Sequence, residues 1–325
     1  MIVLLFTGGT ISMKHDAALG GAVPVLSGEE IVGATRGLSD VADVEVDEWG
    51  MFPGPHMTVE RMWAVRNRVA FHLARPEVAG VVVTHGTDAL EESAYIVARS
   101  LPPDKPVVFT GAMRSASSLG WDGPANLLDA ARVAASAASV GKGTLVCLGE
   151  QIHSGLQVTK THTEARDAFE SPSLGALGEV DEGVVIYHRA LLGVPAPLDP
   201  IMPAEPVDIV SAWAGADARL LDASRESGAK AVVVAAMGRG NVPPLMFEGI
   251  VRWVESGRPV LITSRAMQGR VGPTYGYPGG GRRVLEAGAI FAYGRRPGQA
   301  RIDAMLALGL GYGRAELEGL FNVAS

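Results

Sequence analysis

Short apolar or alternating runs separated by longer amphipathic stretches fill the first half of the chain. Runs at 2–6, 44–48, 80–84, 107–110, 144–148 and 183–187 predict strands, and the stretches 29–35, 59–73, 89–100 and 124–138 carry the spacing of helices that bury one face. Strands alternating with helices build a mostly parallel sheet through right-handed crossovers. Pro195, Pro197, Pro200, Pro203 and Pro206 then remove backbone donors that a ladder needs, so 192–206 predicts an extended linker and a domain boundary. Beyond it the rhythm restarts, with strands at 207–210, 231–236, 259–263 and 289–292 and helices at 244–256, 298–308 and 314–321. The expected organisation is an α/β domain over 1–191, a linker over 192–206 and a smaller α/β domain over 207–325. No internal repeat interrupts this order.

Composition narrows the partners. With 47% hydrophobic and 19% charged residues, the 325-residue chain reads as a globular α/β enzyme. A formal net charge of −7 offers no general attraction to phosphate backbones or anionic bilayers, so nucleic acid and membrane partners are not expected and a small-molecule substrate is. No apolar run approaches the roughly 18 residues of a spanning helix. The amino terminus enters a strand directly, without the pattern of a secretory signal, which predicts a cytoplasmic protein. Cys147, the single cysteine, lies within a predicted strand and reads as a buried structural thiol.

Candidate chemistry gathers at two Gly-Thr turns. Thr7-Gly8-Gly9-Thr10 follows the first predicted strand, and Thr84-His85-Gly86-Thr87-Asp88 follows the third. Each turn is expected at the carboxyl end of its strand, where open α/β sheets collect ligands. Adjacent glycines let a ligand approach backbone N–H groups beside the Thr10 hydroxyl, an arrangement suited to an oxyanion site. A strand-to-loop turn with a capping threonine explains the same residues. Asp88 followed three residues later by Glu91 is also the pattern of a helix capping box. Lys160 lies in a polar stretch with neither helical nor strand period; enclosed beside Thr87 and Asp88, it would help remove a hydroxyl proton. His153, His162 and His188 show no metal-ligand spacing and read as polar surface or core residues. The glycine-rich 276–281 segment with Arg282 and Arg283 reads as an anion turn or a loop bordering the active site, and Trp121 and Trp253 as packing residues at helical positions.

The Thr7–Ile11 motif, the Thr84–Tyr95 motif, Thr110-Gly111-Ala112-Met113-Arg114 with Asp122-Gly123-Pro124-Ala125-Asn126-Leu127, and the segment 158–161 together resemble the bacterial-type L-asparaginase/glutaminase family. The resemblance continues through Met237-Gly238-Arg239-Gly240-Asn241 and Thr263-Ser264-Arg265, covering nearly the whole chain in the family's order. It implies a flavodoxin-like larger domain followed by a smaller Rossmann-like one, and hydrolysis of a small amide, foremost L-asparagine to L-aspartate and ammonia. Thr10 is implied as the nucleophile that forms an acyl-enzyme, and Thr87, Asp88 and Lys160 as the groups that activate it or water. Substrate contacts are implied for Thr87, Asp88, Gly54, Asn241 and the backbone around Gly86 and Ala112. No cofactor or metal is implied. The family association is a homodimer or homotetramer in which Asn241 serves a neighbouring subunit's site.

Two positions depart from the family. Ala22 stands where a tyrosine bonds the nucleophile, and Gly54 where a serine binds the substrate carboxylate. Tyr275 and Tyr277 are the candidate auxiliary phenols. These losses leave open the same chemistry on an amide or hydrazide without the amino-acid head group. A subunit releasing ammonia for tRNA-dependent amidation fits poorly with the acidic charge. A non-catalytic amino-acid-binding pseudoenzyme would not need all four polar residues.

Overall fold

The computed structural model describes residues 1–322 of the 325, so the last three positions of the expected 207–325 domain lie outside the described residues. The chain divides into two compact units, Met1–Pro197 and Leu198–Ser325. The first contains strands β1 (Ile2–Gly8), β2 (Met13–Asp16), β3 (Gly21–Pro24), β4 (Val44–Phe52), β5 (Gly80–Thr84), β6 (Val107–Thr110), β7 (Thr144–Leu148), β8 (Gln151–Ser154), β9 (Thr159–Lys160), β10 (Phe169–Glu170), β11 (Gly178–Asp181) and β12 (Val184–Tyr187). Its helices are α1 (Gly28–Ala34), α2 (Leu38–Val41), α3 (Val59–Leu73), α4 (Leu90–Ser100) and α5 (Gly123–Ala135).

An eight-stranded sheet in the order β12-β11-β8-β7-β6-β5-β1-β4 organises this unit. β4, β1, β5, β6 and β7 run parallel, and β8, β11 and β12 extend the sheet antiparallel. Every residue of β1, β5, β6 and β7 is buried, as expected of central strands covered on both faces. Ile2, Leu4, Phe6, Val82 and Val108 join Leu127, Ala130, Ala131 and Ala134 of α5 in one core. The alternating residues Val3, Leu5, Val81 and Val83 are buried on the opposite face, the side that α3 and α4 cover. Cys147 belongs to the α5 core, and burial pushes its thiol pKa far up, so it is an inert structural residue.

Leu198–Ser325 is a second α/β unit. Its strands β13 (Val207–Ser211), β14 (Ala231–Ala236), β15 (Val260–Ser264) and β16 (Ile290–Phe291) form a parallel sheet in chain order, with helices α6 (Arg219–Glu226), α7 (Pro244–Glu255), α8 (Gly281–Glu286), α9 (Pro297–Gly309) and α10 (Arg314–Asn322). Trp253 is fully buried in its core and donates its indole N–H to the Leu221 carbonyl at 2.7 Å.

Several elements differ from expectation for physical reasons. β2 and β3 form a hairpin in which every residue is exposed or half-buried, so no buried apolar face marks it; the Asp16 carboxylate closes its turn by accepting from the Ala18 and Leu19 amides. α6 is mostly polar and buries only Leu221 and Ser224, and α8 begins within the glycine-rich segment that reads as a loop. Trp121 precedes α5 rather than occupying it, although it does pack against the core. α5 stops at Ala135, where the chain continues as a single 3-10 turn over Ala137–Ser139.

Candidate active site

Register places the chemistry. Phe6 pairs with Thr84 and Thr84 with Thr110, so the turns after β1, β5 and β6 leave the sheet side by side. The Thr7 hydroxyl donates to the Thr84 carbonyl at 2.7 Å and fastens the first two. Gly8 and Gly9 have φ of +102° and +87°, in the region that favours glycine. A Cβ on Gly9 would lie 2.5 Å from the Gly86 amide nitrogen, and one on Gly86 would lie 2.6 Å from the Gly54 nitrogen. Three turns, carrying Thr10, Thr87 and Gly54, therefore stack backbone on backbone.

This stacking yields a prediction. Gly9→Ala combines a backbone conformation (φ +87°, ψ −175°) that essentially only glycine adopts, costing about 1–3 kcal/mol, with a clash against backbone that has no flexible side chain to yield. A displacement near 1 Å between reacting groups costs about 10²-fold in rate. Gly9→Ala is expected to lower both the unfolding free energy and kcat, the latter by at least about tenfold, as denaturant titration and steady-state assay would show. Parent-like kcat in a folded Gly9→Ala protein would mean that the two turns act independently.

Thr10 opens the 3-10 turn Thr10–Ser12 and is half-buried. Its neighbours on either side commit their hydroxyls to carbonyls, Thr7 to Thr84 and Ser12 to Gly9 at 2.8 Å. Thr87 is buried, at 6% exposure. Lys160 Nζ donates to Thr87 Oγ1 at 2.9 Å and to Asp88 Oδ1 at 2.7 Å, so three of the four expected catalytic side chains meet at one ammonium. The Asp88 side chain is 60% exposed against 17% for Lys160. An ion pair so open to water contributes only about 0–1 kcal/mol to stability, which does not explain why the lysine is held there.

The capping box expected at Asp88 and Glu91 is not formed. Ala89 is the N-cap of α4 and no side chain caps it. Glu91 Oε2 instead accepts 2.6 Å hydrogen bonds from the Thr159 hydroxyl and the Lys160 backbone amide. Lys160 itself is in a strand, β9, too short to show a period and paired with β10.

The turn after β6 carries Ala112, whose side chain is fully buried in the apolar core, and Gly111, whose Cβ would sit 2.6 Å from the His85 carbonyl and 3.4 Å from Thr87 Cγ2. Asn126 and Asp122 hold that turn. Asn126 donates to the Gly111 carbonyl at 3.0 Å, and the Asp122 carboxylate accepts from the Met113 and Arg114 amides. Asn126 and Asp122 were visible in sequence only as parts of a motif, because their partners lie across a loop.

His85 supports the second threonine turn from beneath. The imidazole is fully buried, and its Nδ1 lies 2.9 Å from the Gly86 carbonyl, an acceptor that assigns the proton to that nitrogen. Nε2 is buried with no partner. Burial lowers the pKa from 6.5 to about 4, so the ring is neutral. His153, between Ser171 and Gln151, is also lowered to about 4, by burial and then by the Arg189 charge. A histidine depressed in the folded state binds fewer protons than its unfolded counterpart. Its stabilising effect is complete above about pH 6.5 and is lost as pH falls toward 4. Loss of roughly 3 kcal/mol at His85 over that window is expected. Urea titrations at several pH values should show a shallower acid slope in His85→Gln than in the parent, and an identical slope would assign the acid sensitivity elsewhere.

The remaining positions singled out in the sequence lie on the β2–β3 hairpin and in the second unit. Ala22 is exposed on β3, opposite His15 in the hairpin. In the second unit, Asn241 follows a tight turn bridged to Met237, and its side-chain oxygen accepts from the Gly281 amide at 3.0 Å. Tyr275 and Tyr277 are 43% and 52% exposed, with ring centroids 5.6 Å apart. Among the described residues no group of three or more His, Cys, Asp or Glu side chains is placed to hold a metal ion, and no helix is long and apolar enough to cross a membrane.

Residues 1–192 match the family model for the asparaginase N-terminal domain, and residues 206–321 the model for the glutaminase/asparaginase C-terminal domain. The chain is 36% identical over 327 residues to a probable L-asparaginase of Deinococcus radiodurans, covering 99% of this chain and 97% of that one. It is 30% identical to L-asparaginase 2 of Bacillus subtilis, over 99% of this chain and 86% of the relative. The crystal structure of a probable cytoplasmic L-asparaginase from Campylobacter jejuni superposes with a TM-score of 0.90 at 28% identity, covering 98% of both chains. With both domain models matched in order and such relatives aligned nearly end to end, the chain belongs to the asparaginase family.

Proposed function

We propose that this enzyme hydrolyses L-asparagine to L-aspartate and ammonia through an acyl-enzyme on Thr10. The observation that carries this reading is the double hydrogen bond from Lys160 Nζ to Thr87 Oγ1 and Asp88 Oδ1, set beside the Gly8-Gly9-Thr10 turn in a chain of this family. The Thr10 hydroxyl adds to the side-chain amide carbonyl. Backbone N–H groups of the glycine-rich turns receive the developing oxyanion, and the hydroxyl proton passes to the departing nitrogen, which leaves as ammonia. Water then adds to the ester and frees Thr10. The proton taken from water passes through the Thr87 hydroxyl to the departing Thr10 oxygen, while the Lys160 ammonium, paired with Asp88, holds Thr87 in place and supports that relay with its charge.

Relatives named L-asparaginase, aligned over almost the whole chain, favour L-asparagine over an amide lacking the amino-acid head group. Ala22 and Gly54 then mark how this member holds that substrate. An ammonia-release assay over L-asparagine, L-glutamine and simple aliphatic amides is expected to give the highest kcat/KM with L-asparagine. Preference for an amide without an α-amino group would reinstate the second substrate class. The cytoplasm is the proposed compartment, in line with the Campylobacter neighbour.

A homo-oligomer, dimeric or tetrameric, is part of the same proposal, with Asn241 completing a neighbouring subunit's site. Mixing inactive Thr10→Ala chains with Asn241→Ala chains should recover turnover through hybrid sites. Full activity in a sedimenting monomer would contradict it.

A further inference from the structure

Glu91 sits in the first turn of α4, where an acidic residue three positions after Asp88 ordinarily turns back to cap its own helix. Here the helix start goes without a side-chain cap, and the carboxylate reaches a segment 68 residues away. One oxygen, Oε2, accepts both the Thr159 hydroxyl and the Lys160 backbone N–H at 2.6 Å. A local rule broken without a local gain is the pattern expected where a position serves a site.

β9 needs such an anchor. It is two residues long and pairs with β10 in a small sheet of its own, separate from the sheet whose β5 leads into Thr87 and Asp88. No ladder bond therefore ties the Lys160 backbone to β5. Lysine carries its charge on a flexible four-carbon stem, so the ammonium is only as well placed as the backbone it hangs from. The segment from Thr87 to Glu91 grips the lysine at both ends. Thr87 and Asp88 accept from Nζ, and Glu91, one helical turn on, accepts from its backbone amide.

We propose that Glu91 is a positioning residue for the reaction, setting Lys160 against Thr87 and Asp88 without touching the substrate. The proposal rests on the assignment of Lys160 to the catalytic machinery, and its test separates the two. Glu91→Ala and Glu91→Gln are made in the parent and in Lys160→Met, and kcat and KM for L-asparagine are measured together with thermal unfolding. In the parent background Glu91→Ala is expected to lower kcat by about 10²-fold, with KM changed by no more than about threefold, the signature of a lost transition-state arrangement. Glu91→Gln keeps one acceptor oxygen and should fall between parent and Ala; it carries the same test if the Ala variant does not fold. In Lys160→Met there is no ammonium left to place, so the Glu91 changes should cost less than about twofold more. Equal losses in both backgrounds would make Glu91 a stabilising residue only and overturn the proposal. So would parent-like kcat in Glu91→Ala while Lys160→Met is slow. Parent-like turnover in Lys160→Met itself would overturn the catalytic assignment and this proposal with it.

Discussion

Thr10→Ala is expected to lower turnover of L-asparagine by about 10⁴-fold or more, the scale seen when a hydrolase loses its nucleophile. The expectation follows from placement. Thr10 heads a turn whose two glycines hold positive φ, is half-buried, and lies between hydroxyls already bonded to carbonyls. Removing Thr7 or Ser12 would disturb structure, whereas removing the Thr10 hydroxyl takes away the group at the mouth of the turn. Steady-state assay of Thr10→Ala and Thr10→Ser decides the matter. Ser retains a hydroxyl and should keep part of the rate, and Ala within about tenfold of the parent would displace Thr10 from the nucleophile's role.

Lys160→Met should lower kcat by about 10²–10⁴-fold, the usual range for a positioned proton-transfer group. Methionine keeps the length of the stem and deletes the ammonium that now bonds Thr87 and Asp88 at 2.9 and 2.7 Å. Stability should change little, since the ion pair reaches an aspartate that is 60% exposed. The two effects together are diagnostic: a large fall in kcat with unfolding close to the parent's. A Lys160→Met protein that unfolds far more readily and recovers its rate when refolded at low temperature would make the lysine a structural tie.

The central strands were legible because complete burial makes them continuous apolar runs; Gly80–Thr84, Val107–Thr110 and Thr144–Leu148 have the expected bounds. The β2–β3 hairpin and α6 were not, because the hairpin buries no residue, polar residues dominate α6, and local pattern carries little of the packing of either. The Gly-Thr turns announced chemistry at strand ends, yet nothing local shows that Gly9, Gly86 and Gly54 press together. That fact depends on strand register. Glu91 is the sharpest instance. Its spacing from Asp88 satisfies the capping pattern, and only a partner 68 residues away explains why the cap is absent. The close approach of Gly111 to the His85 carbonyl and Thr87 likewise depends on how β5 and β6 pair, while the Ala112 methyl beside it is buried in the core.

The central claim is that hydrolysis passes through an ester on Thr10. Trapping with a slow substrate or a diazo-ketone analogue of L-asparagine, followed by intact mass and peptide mapping, tests it most directly. The predicted result is one adduct per chain on the peptide bearing Thr10, absent in Thr10→Ala. A stoichiometric adduct found reproducibly on another residue, and equally in Thr10→Ala, would contradict the claim.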